Sequence, residues 1–432
     1  MKKLIGALAL AAMVATSAFA EVSFGAWLCN LPTLIGSDGD GIKGAGISNP
    51  WGWGARPARA DINFTSDDGK AGMILGVYAD FAGGVAGSSD NTLLWVKPID
   101  QIKLSLGKHD NFFGTRSDLC YGSWNWLRPN TALAWGEGIT FSSASDKNGL
   151  GLQITPVDAL KIFAMVPLTA VSGASSNAVT ELYKVFGNGR YGATYTIDGI
   201  GTIKAQFLGS YTDTAAKAAT AAGLYKNGAY IAPAGAAYTV EEYAAALADG
   251  ATWQKAGDAV AAGKEYGTIE AAFDLTAVDK LFATAGFAFK MTDNSKANNI
   301  KIALGASYGI TEAFKLAGDF SISIPGDSNQ KPTAGFGVGL DYALTDALGL
   351  VADVRMLMPF DTDKSGSLLS FLVGANYAVG SNASLGLGFQ AIVGLSDKSG
   401  AGDLKLVQAA TGDDGKLKKF IFAVPIRASV WF

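Results

Sequence analysis

The chain ends in Phe420-Ile-Phe-Ala-Val-Pro-Ile-Arg-Ala-Ser-Val-Trp-Phe432, and the reading of these thirteen residues decides the fold. Phe420, Phe422, Val424, Ile426, Ala428, Val430 and Phe432 fall on one side of an extended strand, all apolar, while Arg427 and Ser429 fall on the other. A strand sends successive side chains to opposite faces, so this segment separates an oily environment from a wet one. The same period recurs upstream. Ala383, Leu385, Leu387, Phe389, Ala391 and Val393 oppose Ser384, Gly386, Gly388 and Gln390; Leu348, Leu350, Ala352, Val354 and Met356 oppose Gly349, Asp353 and Arg355. Phe314, Leu316, Phe320, Ile322 and Ile324 oppose Lys315, Asp319, Ser321 and Ser323, and Ile300, Ile302, Leu304, Ala306 and Tyr308 oppose Lys301 and Ser307. Nearer the N-terminus, Ala71, Met73, Leu75, Val77 and Phe81 oppose Gly72, Tyr78 and Asp80.

A soluble β-sandwich alternates as well. Two features favour a membrane barrel. The apolar faces run for about ten residues, enough to cross a bilayer at a tilt, and the polar faces are Gly-rich yet carry both signs of charge, as a wet lumen requires. A closed barrel also satisfies every backbone hydrogen bond in lipid. The fold class expected is therefore all-β: a transmembrane antiparallel β-barrel of about eighteen strands, within a range of sixteen to twenty. Nineteen segments can be counted, an odd number that would put the termini on opposite sides, and the irregularity lies before Leu150.

Composition agrees. The chain has 432 residues, 49% of them hydrophobic and 17% charged, with a net charge of −4. This is too apolar for disorder and too weakly charged for a nucleic-acid partner. Beyond the first twenty residues no apolar run reaches helical membrane-spanning length. One His (His109) and two Cys (Cys29 and Cys120) leave little for metal or redox centres, so no metal and no cofactor is expected.

Residues 1–20 carry Lys2-Lys3, an apolar stretch from Leu4 to Val14, and Ala18-Phe19-Ala20 before Glu21. That is the pattern of a secretory signal peptide cleaved near Ala20, leaving residues 21–432 as a single barrel. In an oxidising compartment Cys29 and Cys120 either pair or stay reduced; their spacing leaves both open.

The connections alternate in length. Short turns are expected at Pro98–Ile102, Pro156–Leu160, Ala277–Leu281, Gly309–Phe314 and Ala343–Leu348, where Asp or Thr can bond the backbone just ahead. Long loops are expected near 29–53, 108–136, 212–265 and 396–418, with Gly83–Asn91 and Pro325–Lys331 on the same rim. Thr239 and Glu242 form a capping box ahead of a stripe of Val240, Tyr243, Ala244 and Leu247, which predicts a helix within 239–262.

The chain resembles the bacterial outer-membrane porins. The likeness rests on the signal peptide, the alternation through the whole mature chain, and the final strand ending on Phe432. The resemblance implies passive diffusion of small hydrophilic solutes through an aqueous pore in the outer membrane, assembly as a trimer, and reading of the Phe432 strand by the outer-membrane assembly machinery. Porins of the general type fold a long loop after strand five into the lumen. The stretch at that place, Lys108–Trp135, does not carry the usual Pro-Glu-Phe-Gly-Gly-Asp pattern.

Within that stretch Arg116, Asp118, Trp124, Trp126 and Arg128, with Phe112, Phe113, Tyr121 and Trp135, form either a constriction or a rim loop at the membrane interface. The expected pore-lining residues are the cations Arg59, Lys103, Lys161, Arg190, Lys204, Lys290, Lys301, Lys315, Arg355 and Arg427 and the anions Asp61, Asp80, Glu270, Asp274, Asp319, Asp341 and Asp353. Their balance is +3, which predicts mild anion preference. No Gly-x-Ser-x-Gly elbow accompanies His109, so no enzyme is expected. Three other readings stay open: a plugged transporter of hydrophobic substrates with a hatch from Cys29 to Arg56, a closed surface barrel acting as an adhesin or coat, and an outer-membrane hydrolase.

Overall fold

The computed structural model describes residues 21–30, 33–37, 39–44, 56–79, 85–86, 92–109, 147–168, 178–214, 223–226, 229–233, 252–254, 263–400 and 416–431. The strands that alternate in sequence form one antiparallel sheet: β1 (Glu21–Asn30), β2 (Arg56–Thr65), β3 (Ala71–Ala79), β4 (Thr92–Ile99), β5 (Ile102–His109) and β6 (Lys147–Val157). The sheet continues through β7 (Leu160–Pro167), β8 (Arg190–Ile197), β9 (Gly201–Thr214), β10 (Gly263–Leu275), β11 (Leu281–Thr292) and β12 (Asn299–Gly309). It ends with β13 (Phe314–Pro325), β14 (Thr333–Ala343), β15 (Leu348–Pro359), β16 (Leu368–Gly380), β17 (Ala383–Gly394) and β18 (Ile421–Trp431). Of its 21 strands, Thr33–Ser37, Ile42–Lys43 and Val85–Ala86 are short rim pieces, and the other eighteen pair each with the next.

The ring closes through β1. It pairs with β2 from Glu21 to Cys29 (Glu21↔Thr65, Cys29↔Arg56), and on its other side Trp27–Asn30 pair with β18 (Trp27↔Trp431, Asn30↔Ala428). Beyond Asn30, Thr33–Ser37 resumes the pairing with β18, Ser37 opposite Phe422. Both pieces thus run along β18, and the ring is closed by the pairing of β1 with β18. Both ends of the ring chain lie at the short-turn end, which demands an even strand number.

The expected short turns are found where Asp or Thr was read. Thr311 and Thr345 hold theirs by accepting from the backbone N–H of Phe314 (3.0 Å) and Leu348 (2.9 Å). Between β2 and β3 the Ser66 hydroxyl donates to Asp68 Oδ1 at 2.7 Å, and Gly69 takes the positive φ of 66° that closes the turn. The Asp68 carboxyl is held below its ordinary 3.8 by that hydroxyl and by the backbone N–H of Lys70.

The opposite rim carries the longer connections. In one of them Trp253 lies in the strand Thr252–Gln254, paired with Leu224 in a small three-stranded sheet with Gly223–Lys226 and Ala229–Pro233. The capping box and stripe of the expected helix, Thr239 to Leu247, fall in residues 239–251, which with 255–262 lie outside the described part. A helix the alternation did not announce, α1 (Ala178–Phe186), sits between β7 and β8, ending where the Gly187 N–H donates to Tyr183 O.

The outward face is apolar. Leu387 is 52% and Val354 50% exposed, as are long rows such as Leu94, Leu104, Ile162, Ile269, Ile302, Val338 and Leu385. Strands of ten to thirteen residues at about 3.3 Å each and a tilt of about 40° give this band a height of about 25 Å or more, the thickness a bilayer core asks for. Tyr195, Tyr308, Tyr342 and Tyr377 ring its short-turn end, all exposed. Near the other end Phe371, Phe389 and Phe422 form a ladder with ring centroids 6.1 and 5.8 Å apart. Such girdles mark the two interfaces of a membrane barrel. Among the described residues no helix is long and apolar enough to cross a membrane.

Candidate functional site: the inner wall of the barrel

The inward positions are the complement of the apolar rows. Along β15, for example, Asp353 and Arg355 are buried while Val354 between them is exposed. By the same parity Asp61, Lys103, Lys161, Arg190, Lys204, Glu270, Asp274, Lys290, Lys301, Lys315, Asp319, Asp341, Asp353, Arg355 and Arg427 all face inside. The side chains of Arg59, Asp80 and His109 lie outside the described part. So do Phe112, Phe113, Arg116, Asp118, Cys120, Tyr121, Trp124, Trp126, Arg128, Trp135 and Phe432, and the side chain of Cys29, whose backbone pairs with Ser429.

The most enclosed group is centred on Arg355. Its Nη1 lies 2.7 Å from Asp319 Oδ2, its Nη2 donates to Asp353 Oδ2 at 2.9 Å, and its Nε is 2.7 Å from Asp353 Oδ1. Side-chain exposures are 4% for Arg355, 3% for Asp319 and 2% for Asp353. The register explains how an Arg on β15 reaches β13: Asp319, Gly337 and Arg355 stand in one row across three strands. A Cβ at Gly337 would come within 2.6 Å of Nη1, so only glycine lets the guanidinium lie flat across β14. The device recurs on β16–β18. Asn376, Gly386 and Arg427 share a row, and a Cβ at Gly386 would meet both Asn376 Oδ1 and Arg427 Cβ.

A second group spans β9 to β11. Lys204 Nζ lies 2.7 Å from Asp274 Oδ2, Asp274 Oδ1 accepts from the Thr284 hydroxyl at 2.7 Å, and Gln206 donates to Glu270 at 2.7 Å. Nearer the long-loop rim, Glu265 accepts from Ser210 at 2.6 Å and pairs with Lys290 at 2.9 Å. Lys204, Lys290 and Arg355 therefore each spend their charge on a wall carboxylate. A bare sum of inward charges misses this, because it depends on register between strands, which a one-strand pattern does not contain.

The wall from β4 to β7 carries lysines of its own. Trp95, Lys97, Lys103 and Lys161 face inside near the short-turn end, and the side chains opposite Lys103 and Lys161 in register are the neutral Gln153 and Thr194. The ammonium groups of Lys103 and Lys97 lie over the Trp95 ring, 4.6 and 5.6 Å from its centroid. Trp95 lies flat because Gly72 faces it; a Cβ there would come within 2.5 Å of the indole. Lys97 and Trp95 were absent from the residues expected to line the lumen. The alternation Leu94-Trp95-Val96-Lys97 contains them, but a large indole among the inward residues reads as apolar on both faces.

Close to the long-loop rim the wall turns apolar. Leu357, Leu368, Ile392, Ile421 and Ala423 pack with Leu417, which the connection between β17 and β18 folds back over them. That patch is filled by the chain itself. Among the described residues no three His, Cys, Asp or Glu gather as a metal site would need.

No family model matches the chain, and no curated protein matches its sequence. Solved structures are similar to it. The anion-selective porin from Comamonas acidovorans shares 14% identity with a TM-score of 0.47, over 95% of this chain and 99% of that one. The in-vitro folded OmpT, an outer membrane protein of Vibrio cholerae, in its trimer form, shares 14% with a TM-score of 0.44 over 95% and 99%. A mutant of the Rh. blastica porin shares 13% with a TM-score of 0.46 over 95% and 100%. Likeness at this level of identity and TM-score assigns the chain neither a family nor a role.

Proposed function

We propose that the chain is a porin-type channel of the outer membrane, without enzymatic activity, through which small hydrophilic solutes diffuse passively, anions somewhat ahead of cations. The observation that carries the reading is the closed ring of eighteen strands, apolar outside over the height of a bilayer and lined inside by charged and hydroxyl side chains. Hydrophobic cargo would find little purchase, since the inner apolar patch is occupied by Leu417. Inward Ser321, Gln390 and Ser429 are buried by their neighbours, which suits a narrow passage and small solutes. The preference for anions rests on the inward charges, in which cations outnumber anions, Lys97, Lys103 and Lys161 among them at the short-turn end. Residues 1–20 act in this reading as a cleaved export signal, and Phe432 as the mark read during assembly into a trimer.

Reconstitution into planar bilayers tests the proposal. Discrete conductance steps are expected, with a reversal potential under a salt gradient showing weak anion preference that fades as salt rises, because screening shortens to about 3 Å at 1 M. Electrical silence would overturn the channel, and strong cation selectivity would overturn the role given to the wall.

A further inference from the structure

The outer wall from β9 to β12 is not an even apolar band. Ile203, Phe273, Ala285 and Leu304 stand in one outward row across these four strands, and Ala205, Ala271, Phe287 and Ile302 in the next. Alanines beside large neighbours leave a groove of about 690 Å³, lined by apolar residues throughout. Its flanks, Ile203, Phe287, Ile302 and Leu304, are exposed. Toward the long-loop rim the same wall carries an aromatic ledge. The rings of Tyr211 on β9 and Tyr266 on β10 are 6.5 Å apart, and Tyr183 of α1 lies 6.5 Å from Tyr211. Two contacts fix α1 here: Tyr191, stacked on Phe207, donates its hydroxyl to Phe186 O at 2.8 Å, and the Tyr211 N–H donates to Gly187 O at 3.2 Å. Tyr191 stands opposite Phe207, and Phe207 and Tyr211 share the outward parity of Ile203. The helix is thus carried on the outside of the barrel. Its Leu182, Tyr183 and Phe186 fall on one helical face, and all three are exposed.

We infer that the groove and α1 together seat one lipid of the leaflet on the long-loop side, an acyl chain lying in the groove and the head beside Tyr183, Tyr211 and Tyr266. Both surfaces are continuous with the lipid-facing band through Ile203 and Ile269, which are exposed between them. From Ala205 to Tyr211 is six residues, about 20 Å along β9, the reach of one extended acyl chain. Tyrosines belong at the level of the headgroups, where the ring meets chains and the hydroxyl meets water, and an exposed apolar helix face of this kind lies in the same plane. A second copy of the chain fits less well. Protein interfaces carry about one hydrogen bond per 100–200 Å², and no side chain lining the groove can make one. The seat belongs to the membrane barrel as such and does not depend on conduction through its lumen.

The test uses the full mature protein, folded in detergent and titrated with dimyristoylphosphatidylcholine, bound lipid being counted by native mass spectrometry. Wild type should retain one lipid per chain ahead of any others. Ala271→Phe and Ala285→Phe, which fill the groove, should each weaken that first binding about tenfold, the worth of about two methylenes kept out of it. Ala375→Phe is the matched control, an outward alanine of β16 between Leu350 and Leu387 in register, and should leave it unchanged. The pair Leu182→Ser and Phe186→Ser lies outside the sheet and should weaken it as well. Heat-modifiable gel mobility establishes that each variant is folded; should a groove variant fail this, the other one and the helix pair carry the comparison. Equal retention in wild type and groove variants would overturn the seat. Equal weakening in Ala375→Phe would overturn its location, and full retention in the helix pair would remove α1 from it. An oligomer that dissociates in the groove variants, read by light scattering, while lipid retention persists would give the groove to a second copy and overturn the lipid.

Discussion

Replacing Arg355 by Met removes the cation from between Asp319 and Asp353 and leaves two carboxylates in a place where neither is more than 3% exposed. Three polar approaches of 2.7 to 2.9 Å disappear with it. Breaking a buried pair by removing one partner costs about 3 to 5 kcal/mol, because the remaining charge keeps its desolvation penalty without its compensation. Little of that is lost to solvent screening here. Unfolding by urea, followed by tryptophan fluorescence in lipid vesicles, should move to lower denaturant by about 1 M or more if the slope is about 3 kcal/mol per M. Lys364→Met is the matched control, since its pair with Asp361 has Lys364 76% exposed and such pairs contribute about 0 to 1 kcal/mol. The triple variant Asp319→Asn, Asp353→Asn, Arg355→Met should recover most of the loss, the charges having left together. If Arg355→Met unfolds at the same urea concentration as Lys364→Met, the group is solvated and the inner wall is not the enclosed surface described above.

The two faces should answer charge oppositely: Leu387→Arg should cost about 2 to 4 kcal/mol in a bilayer, whereas Gly349→Arg, where a Cβ would meet only Tyr342 O at 3.9 Å, should fold and lower conductance. Comparison of urea midpoints with single-channel currents checks both, and a folded Leu387→Arg beside an unfolded Gly349→Arg would reverse the assignment of faces. Deleting Phe432 should reduce the amount of barrel reaching the outer membrane without changing export, as read by fractionation; normal insertion would remove the role given to that residue. Ser66→Ala should let the Asp68 carboxyl rise toward its ordinary 3.8. A depressed carboxyl contributes its stability above the ordinary value and loses it as pH falls through the depressed one, so the wild-type turn should hold to lower pH than the variant, read by carbon-detected NMR titration.

Strand parity could be read from sequence wherever the outward residues were large and the inward ones small or charged. From Gly263 onward this held, and the turns at Thr311 and Thr345 were legible from side chains that bond the backbone beside them. Near Leu94-Trp95-Val96-Lys97 it failed because Trp95 is inward, a position legible only once Gly72 is known to face it. The Asp319–Arg355 contact was illegible for a related reason. Its partners are 36 residues apart, and their meeting depends on Gly337 falling in the same row. Single-strand patterns carry the sign of a face and nothing about neighbours across it. Trp253 shows the limit from the other side: its strand partner Leu224 lies nearly thirty residues upstream, out of reach of any local pattern.

The pairing of the first strand bears on the order of events in time. The strand's two sides are completed by different parts of the chain: along Glu21–Cys29 by β2, some forty residues on, and along Trp27–Asn30 and Thr33–Ser37 by β18, some four hundred residues on. Hairpins from β2 to β18 can zip locally, each adding one short turn. The seam joining Trp27–Ser37 to Phe422–Trp431 has to wait for the last residues made and for the longest loop to close, the slowest kind of contact a chain can form. Until then the sheet has two raw edges, and whatever catalyses insertion has a clear task, which is to shield that pair of edges and bring them together last.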